Sequence, residues 1–173
     1  MRNPNTRPSA HAPIQPNPSW VFQNIWRIVA FGFGSGLLRP APGTWGTLLA
    51  WGLWVPMQGL SDFTILIFLL FAFGLGCIAC ERTSNAMGIS DHGGIVWDEM
   101  VAFWLVLWLS PDGVVAQAVA FVLFRGFDIM KPQPIRYFDA HFKGGFGVMW
   151  DDLVAAAYSL LVMAILVTFG AFA

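Results

Sequence analysis

The chain has 173 residues, 57% of them hydrophobic and only 11% charged, with nine tryptophans and a mean hydropathy of +0.63. Soluble domains carry about 25% charged residues, so this composition argues against an ordinary soluble core and for a membrane protein. A net charge of −1 excludes a general basic field that would attract nucleic acid.

Residues 1–19 are rich in Pro and Asn and hold no apolar run, so they read as a disordered tail and not as a secretory signal. A single membrane domain is expected from 20 to 173. Ser19 is placed to cap a first helix from Trp20 to about Phe31, which is too short and mixed to span a bilayer and so is expected at its surface. The stretch from Gly32 to Thr47 is broken by glycines and prolines and reads as a tight loop. It is either a linker or a place where backbone N–H groups and Arg39 approach an anion.

Two apolar segments follow, Thr44 to Leu60 and Phe63 to Cys80, each near the lower limit for crossing a hydrocarbon core. Pro56 shortens the first. Cys77 and Cys80 form a C-x-x-C inside the apolar run, with no second Cys pair and no neighbouring His. They read as packing residues. Glu81 to Met100 restores charge and leads into two short apolar segments around the turn Ser110–Gly113, expected as a tight helical hairpin. Leu153 to Ala173 has 21 residues without charge and is the strongest membrane-helix signal.

Threading these segments alternately through a bilayer puts every Lys and Arg on one side, which the positive-inside rule makes cytoplasmic. The acids Glu81, Asp91, Asp98, Glu99, Asp128, Asp139, Asp151 and Asp152 fall on that same side, although the rule does not count them. Charge is most concentrated between Phe124 and Asp152. Asp98–Glu99 and Asp151–Asp152 each open an apolar helix, where acids are favoured by the helix dipole. Two such pairs plus Asp128 on one face exceed what capping needs and point to a metal held by carboxylates. Oxygen-only ligands favour Mg2+. Pro132 and Pro134 stiffen a basic arm holding Lys131 and Arg136, and Gly144, Gly145 and Gly147 are expected to turn the backbone after Lys143. These cations suit a phosphate. His92 reads as a loop residue. Nothing matches a Ser-His-Asp or Cys-based nucleophile.

The pieces GFGSGLLRPAPGTWGT, DHGGIVWDE, FRGFDIMKPQPIR and KGGFGVMWDD resemble, in order and spacing, the motifs of the phosphatidylglycerophosphatase A family. That resemblance covers about Phe31 to the end. It implies a bundle of about six helices in the bacterial inner membrane, which agrees with the all-α integral membrane bundle read from the segments above, four to five of them membrane-embedded, with the charged loops gathered on the cytoplasmic face. It implies Mg2+-dependent hydrolysis of phosphatidylglycerophosphate to phosphatidylglycerol and phosphate. Asp98 and Glu99 match the family's IVxDE motif, Asp128 and Lys131 its FDxxKPxPI motif, and Asp151 and Asp152 its GVMxDD motif.

The expected metal and catalytic residues are therefore Asp98, Glu99, Asp128, Asp151 and Asp152, and the expected phosphate contacts are Arg39, Lys131, Arg136 and Lys143. The partner is the membrane lipid. Two other classes compete. A small cation-coupled transporter needs acids in mid-membrane and an inverted repeat, and neither is visible. A CDP-lipid phosphotransferase needs a D-G-x-x-A-R motif, whereas Asp112–Gly113 is followed by other residues and lies on the opposite face.

Overall fold

The structure, a computed structural model, describes residues 14–89, 92–131, 133 and 144–172. Among the described residues every regular element is helical. In chain order the α-helices are α1 (Pro18–Phe22), α2 (Ile25–Ala30), α3 (Pro42–Trp54), α4 (Asp62–Met87), α5 (Trp97–Leu109), α6 (Val114–Met130) and α7 (Gly144–Thr168). Short 3-10 turns cover Gly32–Leu37 and Val55–Met57.

The expected first helix is split in two. Asn17, not Ser19, accepts from the Trp20 N–H and caps α1. Asn24 then leaves helical geometry and caps α2 by accepting from the Trp26 N–H. An Asn side chain competes well for exposed N–H donors, so it restarts a helix where a longer one would otherwise run through. Pro18 and Ser19 are thus already helical, which ends the expected tail early.

Helix α5 organises the bundle. Its sequence WDEMVAFWLVLWL is apolar on all sides below the first turn, and a helix of that kind belongs in a protein interior. Met100, Ala102, Phe103 and Val106 are fully enclosed. Helices α3, α4, α6 and α7 pack around it, and α7 also touches α4 and α6. At 13 residues α5 is about 20 Å long.

Tryptophan indoles lock the helices at fixed heights. Trp104 donates to the Ala50 carbonyl on α3 at 2.8 Å, and Trp97 donates to the Ala72 carbonyl on α4 at 2.9 Å. Trp51 on α3 reaches Gln117 Oε1 on α6 at 2.7 Å. At the far end of the bundle Trp108 donates to Asp62 Oδ1, joining the end of α5 to the start of α4.

Two helices, α4 and α7, are long and apolar enough to cross a membrane. Helix α3 ends at Trp54, before Pro56, and is also 13 residues long. The number of membrane-embedded helices expected from hydropathy is therefore larger than the number of long apolar helices among the described residues. Cys80 is buried in the core and Cys77 is half-buried beside it, both as free thiols, as the packing reading requires.

The largest departure concerns α7. Gly144, Gly145 and Gly147 do not make a turning loop; they are the first residues of the helix. A Cβ on Gly145 would strike the Cys77 carbonyl oxygen of α4, so glycine there is what lets the two backbones meet. Asp151 and Asp152 consequently lie two turns inside α7 and not at its start. Helix α6 likewise continues past Phe124 to Met130, so Arg125 and Asp128 are helical residues.

Candidate active site

Helices α3, α5 and α7 start, and α4 and α6 end, at one end of the bundle. Asp98 and Glu99 come from the first turn of α5, where the dipole favours them. Arg125 and Asp128 come from the last turns of α6, and Lys131 follows directly. Asp151 and Asp152 come from α7. The loops that carry the start of α5 are seated by backbone contact. The Val96 N–H donates to the Ala30 carbonyl at 2.9 Å, and a Cβ on Gly36 would strike the Gly94 carbonyl oxygen. Gly36 of the first loop thus serves a close approach to protein backbone, whereas Cβ atoms on Gly32 and Gly34 would meet side chains. His92 Nδ1 accepts from the Gly94 N–H at 3.0 Å and shapes the same turn.

The carboxylates are held by two cations. Arg125 Nη1 lies 2.8 Å from Glu99 Oε1 and 2.7 Å from Asp128 Oδ2, with the three side chains only 11–14% exposed. Burial disfavours the charge on Arg125, but Glu99 and Asp128 outweigh it and raise its pKa above the ordinary guanidinium value. Lys131 Nζ donates to Asp151 Oδ2 at 2.8 Å. Lys131 caps α6 in the left-handed region, at φ +41°, which a non-glycine residue adopts at a cost of about 1 kcal/mol or more. That turn directs the chain back towards α7, where Tyr158 Oη donates to the Gln133 carbonyl at 3.1 Å.

Asp152 lies at the centre of the group. Asp128, Asp98, Asp151 and Glu99 all interact with it electrostatically. Its side chain is buried, and Oδ2 accepts no hydrogen bond. Asp98 Oδ1 accepts from the Glu99 N–H at 3.0 Å.

The structure therefore brings together all five expected acids and Lys131, from three helices. Arg39 is exposed and forms no ion pair among the described residues. Arg136 and Lys143 lie outside the described residues, as do Asp91, Asp139 and the two arm prolines. Two contributors were not singled out from the sequence. Arg125 was legible in principle, because Arg125 and Asp128 are three apart and face alike once α6 is extended through them. Gly43, in the first turn of α3, was not: a Cβ there would collide with the Glu99 carboxyl, a contact only tertiary packing creates.

The donor set consists of carboxylate oxygens, which suit a hard divalent cation such as Mg2+. The buried Asp152 Oδ2 without a hydrogen bond also fits an ion, since such an atom otherwise stays uncompensated. Among the described residues no three His, Cys, Asp or Glu side chains are gathered as a ready-made cage. Arg125 and Lys131 supply the positive charge instead.

Comparison with known proteins adds a family. Residues 28–167 match the family model described as phosphatidylglycerophosphatase A. A Haemophilus influenzae protein named phosphatidylglycerophosphatase A is 49% identical over 145 residues, covering 81% of this chain and 87% of its own length. An Escherichia coli protein of the same name is 41% identical over 137 residues, covering 79% of this chain and 80% of its own. A Bacteroides thetaiotaomicron protein, provisionally named a phosphatidylinositol-3-phosphatase, is 40% identical over 150 residues, covering 80% of this chain and 91% of its own. No solved structure matches the chain.

Proposed function

This chain belongs to the phosphatidylglycerophosphatase A family, and from that premise we propose that it is a phosphoric monoester hydrolase that converts phosphatidylglycerophosphate to phosphatidylglycerol and phosphate during phospholipid synthesis. The observation that carries the reading is the gathering of five carboxylates, three of them buried, and two cations at one end of an apolar helical bundle. Charge in that position is costly unless it performs a task.

In this reading α4 and α7 cross the bacterial inner membrane, and the charged end lies at the cytoplasmic headgroup plane. Mg2+ would be held by carboxylates from Asp98, Glu99, Asp128, Asp151 and Asp152. When bound, it polarises the phosphoryl group and neutralises charge on its oxygens. Lys131, Arg39, Arg136 and Lys143 contact the phosphate oxygens, where negative charge persists through the reaction. Arg125 does not reach for substrate; its Nη1 fixes Glu99 and Asp128.

Asp152, through the carboxylate oxygen that the ion leaves free, takes the proton of the attacking water. The water oxygen bonds to phosphorus, the bond from phosphorus to the glycerol oxygen breaks, that oxygen takes a proton from solvent water to become a hydroxyl, and Asp152 returns its proton to solvent. The test is phosphate release from a lipid phosphate monoester in detergent, with and without Mg2+. Release only with Mg2+, and no labelled phosphoenzyme on trapping, is the expected result. An acid-stable labelled protein would replace direct water attack by an aspartyl-phosphate route.

A further inference from the structure

A groove of about 270 Å3 runs along the side of the bundle between α4 and α7, backed by α5. Its wall on α5 is formed by Val101, Leu105 and Trp108. These residues continue the helix face that starts at Asp98, at spacings of three, seven and ten residues. Trp150 and Leu153 line it from α7, on either side of Asp151–Asp152. One end of the groove therefore adjoins the carboxylate cluster. The other ends near Trp108, whose indole binds Asp62 at the opposite end of the bundle.

The lining is apolar, and one of its residues carries a buried polar atom beneath that surface. The Trp150 indole N–H is buried and has no hydrogen-bond acceptor. The indoles of Trp51, Trp97, Trp104 and Trp108 all have one. Stacking on Phe146, with centroids 5.7 Å apart, holds the Trp150 ring in place. A buried donor left unmatched is unfavourable, and a ligand acceptor would relieve it.

We propose that this groove is an acyl-chain site for the lipid substrate, with Trp150 Nε1 donating to the ester carbonyl that links the chain to glycerol. This rests on the lipid-phosphatase reading above. The order of chemistry matches along the groove. Carboxylates and cations meet the phosphate, one indole N–H meets the ester just below it, and aliphatic walls meet the chain. The site would distinguish a lipid phosphate from a free glycerol phosphate by holding the chain while the headgroup reacts.

A diacyl lipid phosphate carrying a photoreactive group at the chain end tests the position directly in wild-type protein. Adducts are expected on the α4 segment from Leu66 to Phe73 and on Leu105 or Trp108. Adducts confined to outward residues such as Val115 and Val122, or equal groove labelling by a phosphatidylcholine probe, would overturn the proposal in favour of bulk lipid. Kinetics supply a second arm. Leu105→Trp fills the groove and should lower the ratio of kcat/KM for a long-chain over a six-carbon-chain substrate about tenfold, whereas Val122→Trp on the outer face of α6 should not. An unchanged ratio in folded Leu105→Trp sinks the acyl site. Trp150→Phe should cost about fivefold on an ester-linked substrate and nothing on its ether-linked analogue; equal losses remove the hydrogen bond. If wild-type protein releases phosphate from neither substrate, the phosphatase reading fails, while labelling still reports the groove.

Discussion

Arg125 on α6 and Glu99 on α5 are joined by a 2.8 Å ion pair, and the same Nη1 holds Asp128 at 2.7 Å. One buried guanidinium thereby sets the spacing of two carboxylates from different helices. Removing one partner of a buried pair leaves uncompensated charge and costs roughly 3–5 kcal/mol. Arg125→Ala should therefore lower stability by about 3 kcal/mol and abolish activity. Thermal unfolding in detergent measures the first effect. The double variant Arg125→Ala with Glu99→Gln should be more stable than additivity predicts, since it removes both charges. Strict additivity would show that the pair is not coupled.

Lys131 should behave differently. Its side chain is 30% exposed, more than that of Arg125, and its partner Asp151 lies on α7. Such a pair contributes about 1 kcal/mol or less. Lys131→Ala should leave the melting temperature nearly unchanged yet lower kcat/KM on the order of 100-fold, if its amine meets the substrate phosphate. Lys131→Arg keeps the charge and should recover part of the loss. A large stability defect with normal turnover would make Lys131 a structural residue only.

These two cations mark how far the sequence could be read. Charge segregation and hydropathy located one polar end of an apolar helical bundle, and spacing identified all five acids now found together. The placement of Asp151 and Asp152 failed because glycines signal turns locally. Gly144, Gly145 and Gly147 are instead helical, the space at Gly145 being filled by the Cys77 carbonyl of α4. The same limit applies to Arg125. The end of the apolar run at Phe124 looked like the end of a helix, but burial against Glu99 carries α6 one and a half turns further. Local pattern reports where apolar residues stop, whereas tertiary partners decide where a helix stops. Splitting of the first helix at Asn24 is the converse case, a capping signal present in the sequence and outweighed there by the apolar pattern.

Gly43 tests the fit between α3 and the site. Any Cβ at that position would enter the Glu99 carboxyl group. Gly43→Ala should displace Glu99 from Arg125 and reduce kcat by at least about tenfold, because small displacements in a positioned site are felt strongly. The helical content should stay unchanged, since alanine favours a helix over glycine. Circular dichroism and turnover measured together decide this. Full activity in Gly43→Ala would mean that Glu99 has no required position.

Asp152 separates stability from function most directly. Four carboxylates act on it, and its buried Oδ2 has no hydrogen bond. Asp152→Asn keeps the shape and removes one charge from a crowded group. Relief of that repulsion should raise metal-free stability by about 1 kcal/mol, a common outcome when a functional site is neutralised. Activity should fall by at least about a thousandfold, through loss of an ion ligand and of the proton acceptor. Chelation followed by Mg2+ titration supplies the link to metal. Mg2+ at 100 times its dissociation constant should stabilise wild-type protein by about 2.7 kcal/mol. The same titration should leave the melting temperature of Asp152→Asn nearly flat. If both proteins respond equally to Mg2+, the ion binds away from Asp152, and the carboxylate cluster must act through protons alone.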